Sequence, residues 1–378
     1  MTPLVHVPHR RSLPTTQIGN RYGFEVQSRY FSDDLEEAHA LVSQEFQDYA
    51  GSPNVQEQLI ADAMDDLAFS REVGEAAQRI SDIVVKTQLY DYQGISVKDE
   101  TQQLTKAYKI RGATNFILKY ADVAHEAGVI TASAGNHGQA VALAASKIGV
   151  EAIVVVPEGT PTIKKDGIES HGGRVIVYGR DYAAADNRAH ELNISQKGLY
   201  APAYNDRDIM AGQATMGFEL LDQLSDLTDL VVPTGGGGAL AGLAKYFRAA
   251  APDVRLWGSG ISNKSAVQNA LQSGNHGLSQ TCRFADGIAV AKLGSQTWPE
   301  IKRSVTGALT VEEVSLRRLV GELSLTGRVV EGAGAVGLAA SLEHRRKLGT
   351  KPVTIATGGN IDETVLRACQ LLAMASPR

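Results

Sequence analysis

The chain has 378 residues, a formal net charge of -5, 43% hydrophobic residues, 21% charged residues and 38 glycines, which is typical of a globular protein of two or three domains. The charge balance argues against a nucleic-acid partner, and two distant cysteines exclude a disulfide framework. Because neither a long apolar run nor a secretory signal occurs, we expect a cytoplasmic protein without a membrane partner.

The first 80 residues predict a helical extension in front of the main body. Ser32 and the two following aspartates are typical of a helix start, and apolar residues continue at helical spacing as far as Phe46. Pro53 follows a break in this pattern, and residues 53–84 predict a second helix. We expect the extension to pack on the main body or on a neighbouring subunit, and a structural layer without chemistry is the simpler interpretation.

From about residue 81 short apolar strands alternate with helices. The clearest predicted strands are residues 153–157, 173–178, 230–233, 255–259 and 353–356. The clearest predicted helices are residues 137–148, 181–192, 239–250 and 361–373. This alternation favours parallel sheets joined by right-handed crossovers. Since no linker or repeat separates the segments, we expect an α/β fold with two interleaved parallel-sheet domains.

Four consecutive glycines, here called the glycine loop (residues 235–238), join a predicted strand to a predicted helix. Glycine has no Cβ atom, so the backbone N–H groups of such a loop can wrap closely around a phosphate at the positive end of the helix. A flexible turn or a dinucleotide-binding loop is the alternative. The spacing departs from G-x-G-x-x-G and no acidic residue is placed for a ribose, so the loop favours phosphate binding.

Three other stretches can contribute polar groups to a ligand site. Residues 133–139 (S-A-G-N-H-G-Q) open a helix with a hydroxyl, an amide and free N–H groups, which suits a carboxylate, although ordinary helix capping explains them equally well. Thr357 follows a predicted strand, where ligands gather in parallel sheets, although it can equally bond to backbone. Lys109 precedes a predicted helix, but a lysine alone is more often a surface group.

These stretches resemble motifs of the fold-type II pyridoxal-phosphate enzymes, specifically the threonine/serine dehydratase group, over about residues 82–375. The motifs, in the order of the chain, are K-A-Y-K-I-R-G-A, S-A-G-N-H-G-Q-A-V-A-L-A-A, I-M-A-G-Q-A-T-M-G-F-E, P-T-G-G-G-G-A-L-A-G, F-A-D-G-I-A-V and V-E-G-A-G-A-V-G-L-A-A. With the pattern of elements, the resemblance implies an N-terminal helical extension (1–80), a large cofactor-binding α/β domain (81–115 and 206–378) and a small α/β domain (116–205). It also implies a homodimer or a higher homo-oligomer.

The resemblance implies a site for pyridoxal 5'-phosphate and a role for each matching residue. Lys109 would carry the cofactor and move the α-proton, Asn136 would bond its phenolic oxygen, and Thr357 would meet its pyridine nitrogen. Glu331 would lie nearby. The implied phosphate ligands are Gly235, Gly236, Gly237, Gly238 and the N–H group of Ala239. The implied substrate-binding residues are Ser133, Ala134, Gly135, Asn136 and His137.

The activity that the resemblance implies is α,β-elimination from a small L-amino acid such as serine or threonine, giving a 2-oxo acid and ammonia. A hydroxyl at the pyridine nitrogen stabilises a pyridinium less than an aspartate would, which favours loss of a β-substituent over transamination. A β-replacement synthase that admits a second nucleophile is one alternative. A non-catalytic binding protein that has kept the fold is the other.

Departures from the family pattern carry further expectations. Ala134 stands where related racemases have a serine, and where the diaminopropionate ammonia-lyases, which the chain also resembles at residues 97–100, have an aspartate. We therefore expect proton transfer on one face of the cofactor, with His137 pointing to solvent.

Gly260 and Ala266 stand where some relatives have metal-binding carboxylates, so we expect no metal ion and no effect of chelators. Because the chain ends soon after its last motif, we expect no C-terminal regulatory domain.

Overall fold

The computed structural model describes residues 53–276 and 282–375, together with residues 16–17, 25–26, 39–40 and 42–43. The short strands Thr16–Gln17 (β1) and Glu25–Val26 (β2) pair in antiparallel orientation. Residues 39–40 and 42–43 are helical. The rest of the helix predicted from Ser32 to Phe46 lies outside the described residues.

Thirteen α-helices and ten further strands lie in the two long described segments. The helices are α1 Pro53–Arg79, α2 Lys109–Lys119, α3 Ala121–Ala127, α4 Asn136–Lys147, α5 Thr162–Ser170, α6 Tyr182–Gln196, α7 Arg207–Gln223, α8 Gly238–Ala250, α9 Ala266–Ser273, α10 Thr297–Ser304, α11 Glu313–Leu325, α12 Gly332–Glu343 and α13 Glu363–Met374. The strands are β3 Leu89–Tyr92, β4 Ile95–Asp99, β5 Val129–Ala132, β6 Ala152–Val156, β7 Gly173–Val177, β8 Leu199–Tyr200, β9 Asp229–Pro233, β10 Arg255–Ile261, β11 Val305–Val311 and β12 Pro352–Ala356.

Two sheets form the centre of the described fold. Six strands in the order β11-β10-β9-β12-β4-β3 form the first sheet, in which β3 pairs antiparallel with β4 and the other pairs are parallel. The second sheet is fully parallel, in the order β7-β6-β5-β8. The chain leaves the first sheet after β4 and returns to it at β9. The prediction of two interleaved parallel sheets is therefore confirmed.

The strands were recognisable because they are buried. Every residue of β5, β6, β9 and β12 is buried, which explains their nearly continuous apolar sequences. The predicted helix over residues 181–192 begins one residue later, because the Asp181 side chain accepts a hydrogen bond from the Ala184 N–H group as an N-cap. It runs on to Gln196 and ends at Lys197, which adopts the left-handed conformation with φ 56°.

The helix predicted over residues 53–84 is confirmed as α1, which ends at Arg79. Phe69, Val73, Ala76 and Ile80 are almost completely buried, at the spacing of one helix face. Phe69 and Val73 pack against α7 and α8, and Ile80 packs in the cluster that contains α2. No helix within the described ranges combines the length and apolar character needed to cross a bilayer.

Candidate active site

Four helices, α2, α4, α8 and α12, begin around one site. α4 follows β5 and α8 follows β9, at the carboxyl ends of parallel strands. None of the four has a side-chain capping hydrogen bond at its N-terminus, whereas Asp181 caps α6 and Asp206 caps α7. Uncapped N–H groups at the positive end of a helix favour anionic ligands.

Lys109 is the first residue of α2. Its ammonium nitrogen donates a hydrogen bond to the carbonyl oxygen of Ala203, with Nζ···O 2.7 Å, and lies 5.4 Å from the ring centroid of Tyr108. Burial lowers the pKa of the Lys109 amine from 10.5 to about 8. The neutral amine is the form that acts as a nucleophile or a base, and it is readily available near neutral pH.

The loop after β12 is fixed against the residues that precede Lys109. Ala107 and Gly358 form an isolated antiparallel bridge, and the Tyr108 N–H group donates to the Thr357 carbonyl oxygen at 3.1 Å. Thr357 is 5% exposed. The structure therefore brings the predicted lysine and the predicted threonine together, although about 250 residues of chain separate them.

The side-chain amide of Asn136, the first residue of α4, is held at both ends. Its Nδ2 donates to Glu331 Oε1 at 2.7 Å, and its Oδ1 accepts from Asn360 Nδ2 at 2.8 Å. Sequence reasoning identified Asn136 and Glu331 but gave Asn360 no role. Asn360 lies three residues after Thr357 at the end of the same strand, and this position is the sequence signal that could have identified it as a site residue.

The carboxyl pKa of Glu331 is raised from 4.5 to about 7, mainly because the group is buried and also because the charge of Asp286 acts on it. The hydrogen bond from Asn136 acts in the opposite direction. A carboxyl group with this pKa is partly protonated near neutral pH. It can therefore change the charge beside Asn136 within the physiological range.

We expect Glu331→Gln to remove a pH-dependent part of the stability. The folded protein retains this proton up to about pH 7 and the unfolded chain loses it near pH 4.5. The free energy of unfolding should therefore fall by up to roughly 3 kcal/mol as the pH rises through that window. Glutamine keeps an oxygen for Asn136 but does not titrate. Chemical denaturation of both proteins at several pH values measures this fall, and an equal fall in the variant would contradict the assignment.

The glycine loop has almost no space for side chains. Gly237, the N-cap of α8, has φ 94°, in the left-handed region that favours glycine. A Cβ atom on Gly236 would lie 2.5 Å from three ring atoms of Tyr204. The Gly236 carbonyl oxygen accepts hydrogen bonds from Thr297 Oγ1 at 2.7 Å and from the Gly294 N–H group at 3.1 Å. The loop is thus held through the carbonyl group of Gly236, and no capping side chain covers the N–H groups at the start of α8.

The segment of residues 201–206 also belongs to the site, and sequence reasoning missed it. The Ala203 carbonyl oxygen accepts from Lys109, and the Tyr204 ring covers Gly236. The segment follows β8 directly, and Asp206 then caps α7. The end of a parallel strand followed by a helix-capping aspartate was the signal that could have identified it.

The expectation that His137 points to solvent is wrong. The residue is 3% exposed, and its Nε2 lies 3.1 Å from the Ala201 carbonyl oxygen. Burial and the nearby charge of Lys109 lower the pKa of the imidazole from 6.5 to about 3, so the ring is neutral and Nε2 donates its hydrogen. Helix periodicity is the reason, because His137 shares a face with Val141 and Ala144, which pack in the core beside α2.

The loop before α4 is compact. Ser133 Oγ accepts a hydrogen bond from the Gly135 N–H group at 3.2 Å, and Ala134 contributes only a methyl group. The role of this loop in substrate binding stays a prediction.

The predicted lack of a metal site also stays a prediction. A Cβ atom on Gly260 would lie 2.5 Å from Ser265 Oγ, so a carboxylate side chain there would collide with its neighbour. Across the residues that the structure describes, no group of three or more His, Cys, Asp or Glu side chains is arranged to hold a metal ion.

The donor set fits a small molecule that carries both an aldehyde and a phosphate. A partly buried amine of lowered pKa can form a covalent bond to the aldehyde. The glycine loop offers uncapped N–H groups for the phosphate at the start of α8. Asn136 offers a fixed amide and Thr357 a hydroxyl, and both groups can bond polar atoms of such a molecule.

Comparisons with known proteins agree with this fit. Residues 80–358 match the family model described as pyridoxal-phosphate dependent enzyme. An L-threonine ammonia-lyase of Geobacter sulfurreducens is 39% identical over 301 residues, which cover 77% of this chain and 75% of that protein. The processed form of threonine deaminase isoform 2 from Solanum lycopersicum has a TM-score of 0.76 at 31% identity, covering 82% of this chain and 93% of that chain. Maize serine racemase has a TM-score of 0.74 at 27% identity, with coverages of 80% and 97%.

Proposed function

Because the chain belongs to the pyridoxal-phosphate dependent enzyme family, we propose that it is an ammonia-lyase that removes the β-substituent of a small L-amino acid. Serine and threonine are the first candidate substrates, and the products are a 2-oxo acid and ammonia. The observation that carries the proposal is the Lys109 amine, with its pKa of about 8, which donates to the carbonyl oxygen of Ala203, next to the Tyr204 ring that covers Gly236.

When bound, pyridoxal 5'-phosphate supplies an electron sink for the negative charge that develops at the α-carbon. We assign Lys109 to holding the cofactor and to moving the α-proton, since its amine loses a proton easily. The contact with the Ala203 carbonyl oxygen orients this amine. The N–H groups of residues 235–238 and of Ala239 bind the phosphate at the start of α8.

Asn136 would hold the phenolic oxygen of the cofactor, and the orientation of its amide is set by Glu331 and Asn360. Thr357 would hold the pyridine nitrogen through its hydroxyl. Residues 133–137 bind the substrate carboxylate at the start of α4, where the helix dipole favours a negative charge.

The proposal is tested by incubating the purified protein with single amino acids and measuring the release of 2-oxo acid and ammonia. Pyruvate from serine or 2-oxobutanoate from threonine is the expected result. A new amino acid formed from serine and a thiol, without pyruvate, would indicate a β-replacement synthase instead. The absence of any visible absorbance from bound cofactor would indicate a non-catalytic protein.

We expect the enzyme to consume L-serine with little formation of D-serine. Proton delivery to the face opposite Lys109 needs a second acid within hydrogen-bond reach, and Ala134 has none to offer. With a pKa of about 3 and Nε2–H engaged by a carbonyl oxygen, His137 is a poor acid near neutral pH. Ala134→Ser should introduce a trace of racemisation. Chiral chromatography of the residual serine after partial turnover is the measurement, and appreciable D-serine from the unmodified protein would refute one-face proton transfer.

A further inference from the structure

Helix α1 ends at Arg79, before the residues that the family model matches, and yet it is joined by ion pairs to three of the elements that contact the glycine loop. These three elements are α8, α10, and α7 with the segment that leads into it. Each of them carries a basic side chain that reaches a carboxylate of α1.

The three elements touch the loop directly. The Tyr204 ring lies against Gly236, and the Tyr204 backbone lies 3.0 Å from the position of a Cβ atom on Gly238. Thr297, the first residue of α10, donates a hydrogen bond to the Gly236 carbonyl oxygen and lies beside Gly237. Helix α8 begins at Gly238 itself. A shift of any of these elements therefore moves the N–H groups of the loop.

Two basic residues of α8 face α1. Lys245 is 2% exposed, and its ammonium pairs with Asp65, with Asp66 at 3.4 Å and with Glu300 at 3.2 Å. Arg248 makes a bidentate pair with Asp66, with Nε to Oδ2 at 2.8 Å and Nη2 to Oδ1 at 2.6 Å. Buried charges of this kind need their partners, because removal of one partner leaves an uncompensated charge in the interior.

The other two elements are held by the same face of α1. Arg207, the first residue of α7, donates from Nε to Glu72 Oε2 and from Nη1 to Asp65 Oδ1, both at 2.8 Å. Arg303 of α10 lies 3.3 Å from Asp66 Oδ2. The adjacent carboxylates Asp65 and Asp66 thus connect α7, α8 and α10 to one another.

We propose that α1 is a brace for the glycine loop: by fixing α7, α8 and α10 in place, it raises the affinity of the protein for the phosphate of the cofactor. The inference rests on the proposed placement of the phosphate at residues 235–238. A brace differs from a structural layer without chemistry, which is the simpler interpretation of the N-terminal extension. Such a layer changes only the stability of the protein, whereas a brace changes the affinity for one group of one ligand.

The test compares Asp66→Asn and Glu72→Gln with Glu57→Gln, a matched control because Glu57 lies exposed on the same helix. Each full-length protein is equilibrated by dialysis against graded concentrations of pyridoxal 5'-phosphate or of pyridoxal, which lacks the phosphate. We expect Asp66→Asn to raise the Kd of pyridoxal 5'-phosphate about tenfold and Glu72→Gln about threefold. The Kd of pyridoxal should stay unchanged in both, and Glu57→Gln should change neither.

An unchanged Kd for pyridoxal 5'-phosphate in folded Asp66→Asn would overturn the brace, and so would an equal loss of affinity for pyridoxal. If Asp66→Asn does not fold, Glu72→Gln decides by the same two criteria, since the Glu72 side chain is 30% exposed and pairs with Arg207 alone among the described residues. The placement of the phosphate itself has a separate test. If the unmodified protein binds pyridoxal 5'-phosphate no more tightly than pyridoxal, that placement is refuted.

Discussion

Replacement of Lys109 by alanine should lower turnover by at least about 10³-fold and abolish covalent attachment of the cofactor. The Lys109 amine has its pKa lowered by burial to about 8, so one group can both bond the cofactor and transfer a proton near neutral pH. Alanine removes both functions. Steady-state release of 2-oxo acid measures the loss of turnover, and borohydride reduction followed by peptide mapping identifies the attached residue.

Lys106→Ala is the matched control for this prediction. Lys106 lies three residues earlier, its side chain is exposed, and its contacts to Gln103 and Gly359 are made by the backbone. Its φ of 55° imposes the same strain on lysine and on alanine, so the variant should fold and turn over as the unmodified protein does. Borohydride labelling at Lys106 in place of Lys109 would show the assignment to be wrong.

Gly236→Ala should raise the Kd of pyridoxal 5'-phosphate roughly 10- to 100-fold, because overpacking at such a site costs about 1–3 kcal/mol. The added Cβ atom would lie 2.5 Å from the Tyr204 ring, so the loop or the ring must move. Equilibrium dialysis measures the Kd. A saturating concentration of cofactor should restore part of the turnover here, in contrast to Lys109→Ala.

Gly159→Ala provides the comparison for this second variant. An added Cβ atom on Gly159 has no atom within 4 Å, so neither the Kd nor the turnover should change. The double variant Gly236→Ala, Tyr204→Ala should recover part of the lost affinity, because it removes the ring that collides. Folded Gly236→Ala with an unchanged Kd would contradict the placement of the phosphate in the glycine loop.

The order of strands and helices and several site residues could be predicted from the sequence because their signals are local. A buried parallel strand is apolar along its whole length, as in β6 and β9, and each is followed by turn residues and a helix. A run of glycines between strand and helix exposes backbone N–H groups whatever surrounds it. Lys109, Asn136 and Thr357 also lie in short motifs beside element ends, but their roles were inferred from the resemblance of these motifs to a known family.

Only the tertiary structure decided which groups meet. Asn360 bonds Asn136 across 224 residues of chain, and the Ala203 carbonyl oxygen reaches Lys109 from a segment without a motif. The inward position of His137 depends on which face of α4 packs on α2. The ion pairs of α1 depend likewise on how the helix lies across α7, α8 and α10. These contacts arise from the packing of distant elements, and a local pattern does not encode the partner that lies on the other side.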